Sequence, residues 1–391
     1  MGVGYNRRGV MLSHFSVKNY KCLADVSLPL TPIHVLIGQN DTGKTSLFEA
    51  IRAALTTLSE IQPNKQALDE LFRGDWSGRE LVWNNANSNI VYFTGQFDEQ
   101  LKTSGGHSGF LVAFDFQREG HTFSSNIAIS PSQCELDGQT INPTGPGSST
   151  GIAEDTRKRF QTHARRVDVV RWQPNMMSKP AAITPFHRFR LDPDGFGLPK
   201  VLDEILGYDR RHYEKLEAIF CEYFPQFSGV RLETVSAWER PIGNQDTWKR
   251  AIGKEVQLVG KRKAVRLQQA SDGAILLLGF LAITHSQDPP GMLLIEEPEN
   301  GIHPQRLIEV AQLLRQFVER EENAPQIILT THSPYLLSQF QPEEVTLMRR
   351  LEDGSVKAHP LRDAKHIQER MGDGFYLGEL WYTLNEEDLL K

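Results

Sequence analysis

The chain has 391 residues, and cysteine and long apolar runs are scarce in it. Its three cysteines, Cys22, Cys134 and Cys221, are odd in number and far apart. That suits neither a disulfide framework nor a zinc site with paired ligands, and it points to a reducing compartment. No run approaches the ~18 consecutive apolar residues of a membrane-spanning helix, so no membrane partner is expected. The opening MGVGYNRRGV has no apolar core of the kind a secretory signal needs, and Asn6 stands where a myristoylation signal starting at Gly2 requires Ser or Thr. Residues 1–10 are therefore expected to be a flexible tail on a cytoplasmic protein. No heptad pattern persists and no segment repeats, which excludes a long coiled coil and a solenoid. The net charge of -6 argues against coating nucleic acid through the overall field, but leaves room for a local basic patch.

What is present is ordinary globular sequence, 39% hydrophobic and 24% charged. Alternation over residues 14–21 and 24–30 predicts two strands, and the apolar run Ile33–Ile37 predicts a third, buried one. Leu47, Phe48, Ile51, Leu55 and Leu58 then fall on one face of a helix. Residues 81–130 read as β, with strands over Ile90–Phe97 and 110–116. A loop is expected over 142–151, followed by a helix bearing Arg157, Lys158, Arg159, Arg165 and Arg166, and a strand over 167–172. Two amphipathic helices, one marked by Leu198, Val201, Leu202, Ile205 and Leu206, the other by Tyr213, Leu216, Phe220, Tyr223 and Phe224, predict a small helical lobe. The last third alternates: a strand over 230–235, an apolar helix over 274–284, a strand over 292–295, a helix over 305–318 and the strand Gln326–Thr330. The economical fold is α/β, a parallel sheet covered by helices.

Four short motifs carry chemistry. Gly38, Gln39, Asn40, Asp41, Thr42, Gly43, Lys44 and Thr45 match G-x-x-x-x-G-K-[ST] between a buried strand and a helix, the context a phosphate-binding loop requires. Its backbone N–H groups would wrap phosphates, Lys44 would reach the β- and γ-phosphates, and Thr45 would offer a hydroxyl to Mg²⁺. The apolar strand over 292–295 ends in Glu296 and Glu297. Adjacent strand residues face opposite ways, so Glu296 is assigned to the Mg²⁺ shell and Glu297 to the attacking water. After Gln326–Thr330 comes Thr331-His332-Ser333-Pro334. His332 could contact a γ-phosphate, and Ser333 could cap a helix with Pro334 at its first position. Ser271, Asp272 and Gly273 precede an apolar helix, either as a plain cap or as an anion site at a helix N-terminus.

Together GQNDTGKTS, the S-D-G element, LLIEEPENGIHP and TTHSP resemble the RecF-like and OLD-type branch of the ABC ATPases, relatives of the SMC heads. The opening HFSVKNYKCLADVSLPL is similar to that family's first hairpin, and LDPDGFGLPKVLDEIL resembles its helical lobe. The resemblance implies a P-loop NTPase with an ABC-ATPase head: a mixed β lobe, a parallel-sheet core and a small helical lobe. It implies one head over 11–391, made of a P-loop and β lobe (11–175), a helical insertion (176–263) and a signature, Walker B and switch lobe (264–391). Residues 38–46, with Ser46 included, would bind ATP, while Ser271, Asp272 and Gly273 would act on the ATP of a second copy. Glu296 and Glu297 would form the acidic pair, residues 300–303 the dimer-facing D-loop, and His332 the switch. Gln173 is the candidate for the glutamine that the family places at Mg²⁺, against a plain strand-end residue. Lys21 sits where relatives place a basic residue near the nucleotide, against a solvated hairpin lysine. Glu296 stands where many relatives have Asp, which implies a water-mediated metal contact, and S-D-G is shorter than the fuller signature. Only 59 residues follow His332, too few for the Toprim nuclease domain of OLD nucleases, so no DNA cleavage by this chain is expected. The expected cofactors are ATP and Mg²⁺. The expected partners are a second copy, with higher assembly open, and a separate effector such as a nuclease or toxin in anti-phage defence. A RecF-like repair ATPase acting on DNA is the alternative; in either case the 157–166 run and Lys261, Arg262 and Lys263 are candidate DNA contacts, against plain solvated helix faces.

Overall fold

The computed structural model describes residues 11–59, 72, 81–98, 109–118, 127–136, 139–141, 166–183, 190–240, 248–260, 263–320 and 324–390. The chain forms two compact units, one of residues 1–169, 291–296 and 318–391, the other of 170–290 and 297–317. The first unit begins with β1 (Leu12–Tyr20), β2 (Leu23–Pro29), β3 (Ile33–Ile37), α1 (Lys44–Ser59), β4 (Ile90–Phe97), β5 (Gly109–Arg118), β6 (Ile127–Leu136), β7 (Gln139–Ile141) and β8 (Val167–Val170). The second holds α2 (Pro174–Met177), β9 (Ala181–Ala182), α3 (Leu198–Tyr208), α4 (Arg210–Tyr223), β10 (Phe227–Glu239), β11 (Lys249–Gly260), β12 (Ala264–Arg266) and α5 (Asp272–Thr284). The chain returns to the first unit with β13 (Met292–Glu296), leaves it for α6 (Pro304–Val318), and closes with β14 (Gln326–Thr330), α7 (Pro334–Leu337), β15 (Val345–Arg350), β16 (Val356–Pro360), α8 (Lys365–Gly372), α9 (Leu377–Thr383) and α10 (Glu386–Leu389).

The first unit carries two six-stranded sheets, in the orders β2-β1-β4-β5-β6-β7 and β16-β15-β3-β14-β13-β8. The first sheet is antiparallel throughout. In the second, β15, β3, β14 and β13 run parallel, and β16 adds antiparallel at one edge. Every residue of β3 and β14 is buried, as expected of parallel strands covered on both faces. The apolar stripe of α1, from Leu47 to Leu58, is buried as its spacing predicts, in one core with Phe15, Tyr20, Phe93, Phe110 and Phe114 of the antiparallel sheet. Tyr20 meets Phe93 edge-on at 5.4 Å between ring centres. A polar tie joins the sheets: Gln326 at the start of β14 accepts from the Leu12 N–H at 2.9 Å and donates to the Leu12 carbonyl at 2.8 Å.

In the second unit α3 and α4 form as the two amphipathic patterns predict, but they accompany a four-stranded sheet, β10-β9-β11-β12, around the long hairpin β10–β11. The strand predicted over 230–235 is thirteen residues long, and its partner β11 was not predicted. Its KRAIGKEVQLVG sequence mixes charge and glycine, so alternation is broken where Gly253 must admit the Ala181 backbone beside it. The strand predicted over 167–172 stops at Val170, and Trp172 packs against Phe280 at 4.7 Å. The loop over 142–151 and the basic residues 157–165 lie outside the described residues, as do Lys261 and Arg262. Arg166, the end of that basic run, is buried and paired with Asp168 at 3.0 Å. None of the described helices is long and apolar enough to cross a membrane.

Candidate functional site

In the first unit three neighbouring parallel strands end at one edge of the sheet. The register sets Leu36 of β3 beside Thr330 of β14, and Thr330 beside Glu296 of β13. Three of the motifs therefore emerge together at the carboxyl edge: the glycine loop after β3, the Thr331-His332-Ser333 segment after β14, and Glu296. This edge is where open α/β sheets place ligands.

The glycine loop is shaped by backbone that only glycine tolerates well. Gly38 has φ 143°, and a Cβ there would overlap the Met348 carbonyl oxygen. Gly43 has φ 79°, and a Cβ there would lie 2.8 Å from Cys22 Sγ and 2.9 Å from Leu23. Asp41 takes φ 62°, a left-handed conformation to which Asp is suited. Lys44, only 8% exposed, curls over the loop and donates to the carbonyls of Gly38 (2.8 Å) and Gln39 (2.7 Å). Thr42 ties the loop across itself by donating to the Gln39 carbonyl at 2.8 Å. Gln39, Asn40 and Thr45 are exposed, and Gly43 and Ser46 are half-buried. Such a cradle fits a triphosphate: it is glycine-lined, carries one held ammonium and leads into a sixteen-residue helix. Thr45 and Glu296 are hard oxygen donors of the kind Mg²⁺ takes.

Sequence reasoning missed two neighbours of this loop. Arg350, at the end of β15, donates to the Asp41 carbonyl at 3.2 Å and adds a second cation; β15 was not predicted, so no pattern pointed to it. The Cys22 thiol packs on Gly43, and burial pushes its pKa up even though a Ser46 hydrogen bond and the charges of Arg350 and Lys21 oppose that shift. Lys21 itself bonds Glu49 of α1 at 2.5 Å, a contact with the P-loop helix and not a solvated hairpin position.

On β14's extension, the Thr331 N–H donates to the Leu36 carbonyl at 3.3 Å. Ser333 caps α7 by accepting from Leu336 N at 3.3 Å, with Pro334 at the first helical position, so the capping role expected of this segment is present. His332 is half-buried between these two anchored residues.

The remaining candidates belong to the second unit. Glu297 adopts φ 45°, an uncommon conformation for glutamate, and its carboxylate accepts from Asn300 Nδ2 at 2.9 Å. Ser271 is the N-cap of the thirteen-residue α5, yet its side chain makes no capping hydrogen bond, and a Cβ on Gly273 would meet nothing within 4 Å. The cap is thus open at its hydroxyl and at the next amides. Asp272, exposed, lies against Gly301. Gln173 is the N-cap of α2, also without a side-chain capping bond, and its side chain is exposed.

Two family models match the chain, an AAA ATPase domain over residues 11–162 and an "AAA domain, putative AbiEii toxin, Type IV TA system" over 185–338. An OLD nuclease of Thermus scotoductus is 25% identical over 413 aligned positions, which cover 97% of this chain and 70% of that protein. The chain is an ATPase with AAA-type domains, similar in sequence to an OLD nuclease. Among solved structures, the Smc head domain with a coiled coil and joint from Pyrococcus yayanosii superposes with a TM-score of 0.54 at 10% identity, covering 93% of this chain and 100% of that one. The Smc head domain from Pyrococcus furiosus, bound to the C-terminal domain of ScpA, gives 0.51 at 12% identity, with 93% and 100% covered. These likenesses show the ABC-ATPase head fold. ATPases of this class use ATP with Mg²⁺.

Proposed function

We propose that this ABC-type ATPase is a nucleotide-driven switch that works as a dimer of two copies and controls a separate effector protein, such as a nuclease or toxin in anti-phage defence. The observation that carries the reading is the open N-terminus of α5. A serine at the N-cap position ordinarily closes the helix end on itself, whereas Ser271 leaves its hydroxyl and the following amides available to an anion. An ABC site presents that element to the ATP bound by the other copy. The AAA domain description that names a toxin of a type IV toxin–antitoxin system, and the relationship to an OLD nuclease, support an effector as the output. The buried Arg166–Asp168 pair removes one of the candidate DNA contacts.

In this reading Gly38, Gln39, Asn40, Asp41, Thr42, Gly43 and Ser46 hold the phosphates through backbone and hydroxyl donors. Lys44 exchanges its loop carbonyls for the β- and γ-phosphate oxygens. Thr45, Glu296 and Gln173 would hold Mg²⁺, which supplies charge neutralisation on the transferring phosphoryl group. Glu297 orients the attacking water and takes its proton. His332, anchored on both sides, contacts the γ-phosphate and passes its presence to α7. Ser271, Asp272 and Gly273 complete the site from the second copy.

The test is the mass of the purified protein with and without ATP and Mg²⁺, for the wild type and Glu297→Gln. The expected result is an ATP-dependent rise to a dimer, or a change in an existing assembly, that Glu297→Gln holds while its turnover falls at least about a hundredfold. A mass indifferent to ATP alongside normal turnover would reduce the S-D-G element to an ordinary helix start. Retention on DNA that falls steeply with salt would move the assignment to the repair reading.

A further inference from the structure

Five residues after the end of β13 form a turn that connects two of the elements above. Glu297 opens it with φ 45°, and Gly301 ends it with φ 81°. The turn is closed twice by Asn300: its N–H donates to the Glu297 carbonyl at 3.1 Å, and its side-chain Nδ2 donates to Glu297 Oε2 at 2.9 Å. Gly301 then packs on the α5 start so closely that a Cβ on it would lie 3.1 Å from Asp272 Cβ. One short turn therefore grips the Glu297 carboxylate at one end and touches the S-D-G element at the other.

We infer that Asn300 is the positioning residue for Glu297, fixing the carboxylate through its side-chain amide, and that the Gly301–Asp272 contact ties this position to the S-D-G element of the same copy. The inference rests on Glu297 being the base proposed above. A carboxylate on a glutamate side chain has three rotatable bonds, and proton abstraction needs it within hydrogen-bond reach of one water. A donor on the same turn removes much of that freedom before substrate arrives, which is the kind of preorganisation a misplacement of about 1 Å would forfeit. The left-handed backbone at Glu297 aims the side chain, and Asn300 holds it there.

The experiment measures steady-state ATP turnover for the wild type, Asn300→Ala, Asn300→Asp, Glu297→Gln and the Asn300→Ala/Glu297→Gln double variant, with ATP-dependent mass recorded for each. Aspartate matches asparagine in size and in tolerance of turns, and it exchanges the donating amide for a second carboxylate facing Glu297, so it separates a lost hydrogen bond from a lost turn. The expected result is a kcat lower by about tenfold in Asn300→Ala and by more in Asn300→Asp, with KM for ATP and the nucleotide-dependent mass unchanged. In the Glu297→Gln background Asn300→Ala should change the residual turnover by less than about twofold, since the group it positions is gone. Wild-type kcat in Asn300→Asp, or an equal loss in both backgrounds, would overturn the positioning role while leaving Glu297 as base. Normal turnover in Glu297→Gln would instead remove the base itself and the inference with it.

Discussion

His34 lies in the middle of the strand that delivers the phosphate loop, and it is 1% exposed. Its Nδ1 is 3.1 Å from the Thr31 hydroxyl and its Nε2 is 3.0 Å from the Thr346 hydroxyl on β15, so the neutral ring is satisfied at both ends by groups that either donate or accept. Burial, with the charge of Arg362 in the same sense, pushes its pKa down from 6.5 to about 3. Above pH 6.5 the ring is neutral in both folded and unfolded chains and contributes no pH dependence. Between 6.5 and about 3 the unfolded chain takes up a proton that the folded chain refuses, so stability falls as pH falls, by about 1.4 kcal/mol per pH unit. From pH 7 to pH 5 that amounts to about 2 kcal/mol from this one residue.

His34→Gln keeps polar groups toward both threonines and removes the titration. Urea unfolding of wild type and variant at pH 7 and pH 5 gives four free energies, and the difference of differences isolates the residue. His14 and His359, whose pKa values burial also lowers, remain in both proteins and cancel. The wild type should lose about 2 kcal/mol more than His34→Gln on acidification. Equal losses would mean that the ring is protonated in the folded protein and that the strand beneath the phosphate loop is wetter than its burial indicates.

Gly43→Ala should abolish ATP binding, measured by fluorescent-nucleotide titration, and leave the circular dichroism spectrum unchanged. Its methyl would meet Cys22 Sγ at 2.8 Å and Leu23 at 2.9 Å from a φ of 79°, so the loop must move and the strands need not. Gln326→Ala should lower unfolding free energy by about 3 kcal/mol, read from urea denaturation at pH 7, because the Leu12 N–H and carbonyl are left buried without their side-chain partner. A change below about 0.5 kcal/mol would show that the two sheets are joined by apolar packing alone.

What was legible in the sequence was whatever a period or a fixed spacing encodes. Ile33–Ile37 and Gln326–Thr330 are buried on both faces, and the α1 stripe from Leu47 to Leu58 falls in the core, because a continuous run and a 3.6-residue repeat each have one economical solution. The same logic set Glu296 and the residues after Thr330 at one sheet edge once the strands were taken as parallel neighbours. Strand β11 was not legible, since its glycine serves a close approach of Ala181 that no local pattern announces. Arg350 was not legible either, because its place beside the phosphate loop depends on β15 pairing with β3 across more than 300 residues of chain. The backbone at Glu297 is the instructive case. The sequence reading separated Glu296 from Glu297 on the premise that adjacent strand residues face opposite ways, but the strand ends at Glu296 and Glu297 turns through a left-handed conformation instead. The two carboxylates are thus set apart by a turn and not by a pleat. A turn can be held by a side chain such as that of Asn300, so the means of separating the acids is also what lets one of them be fixed in place.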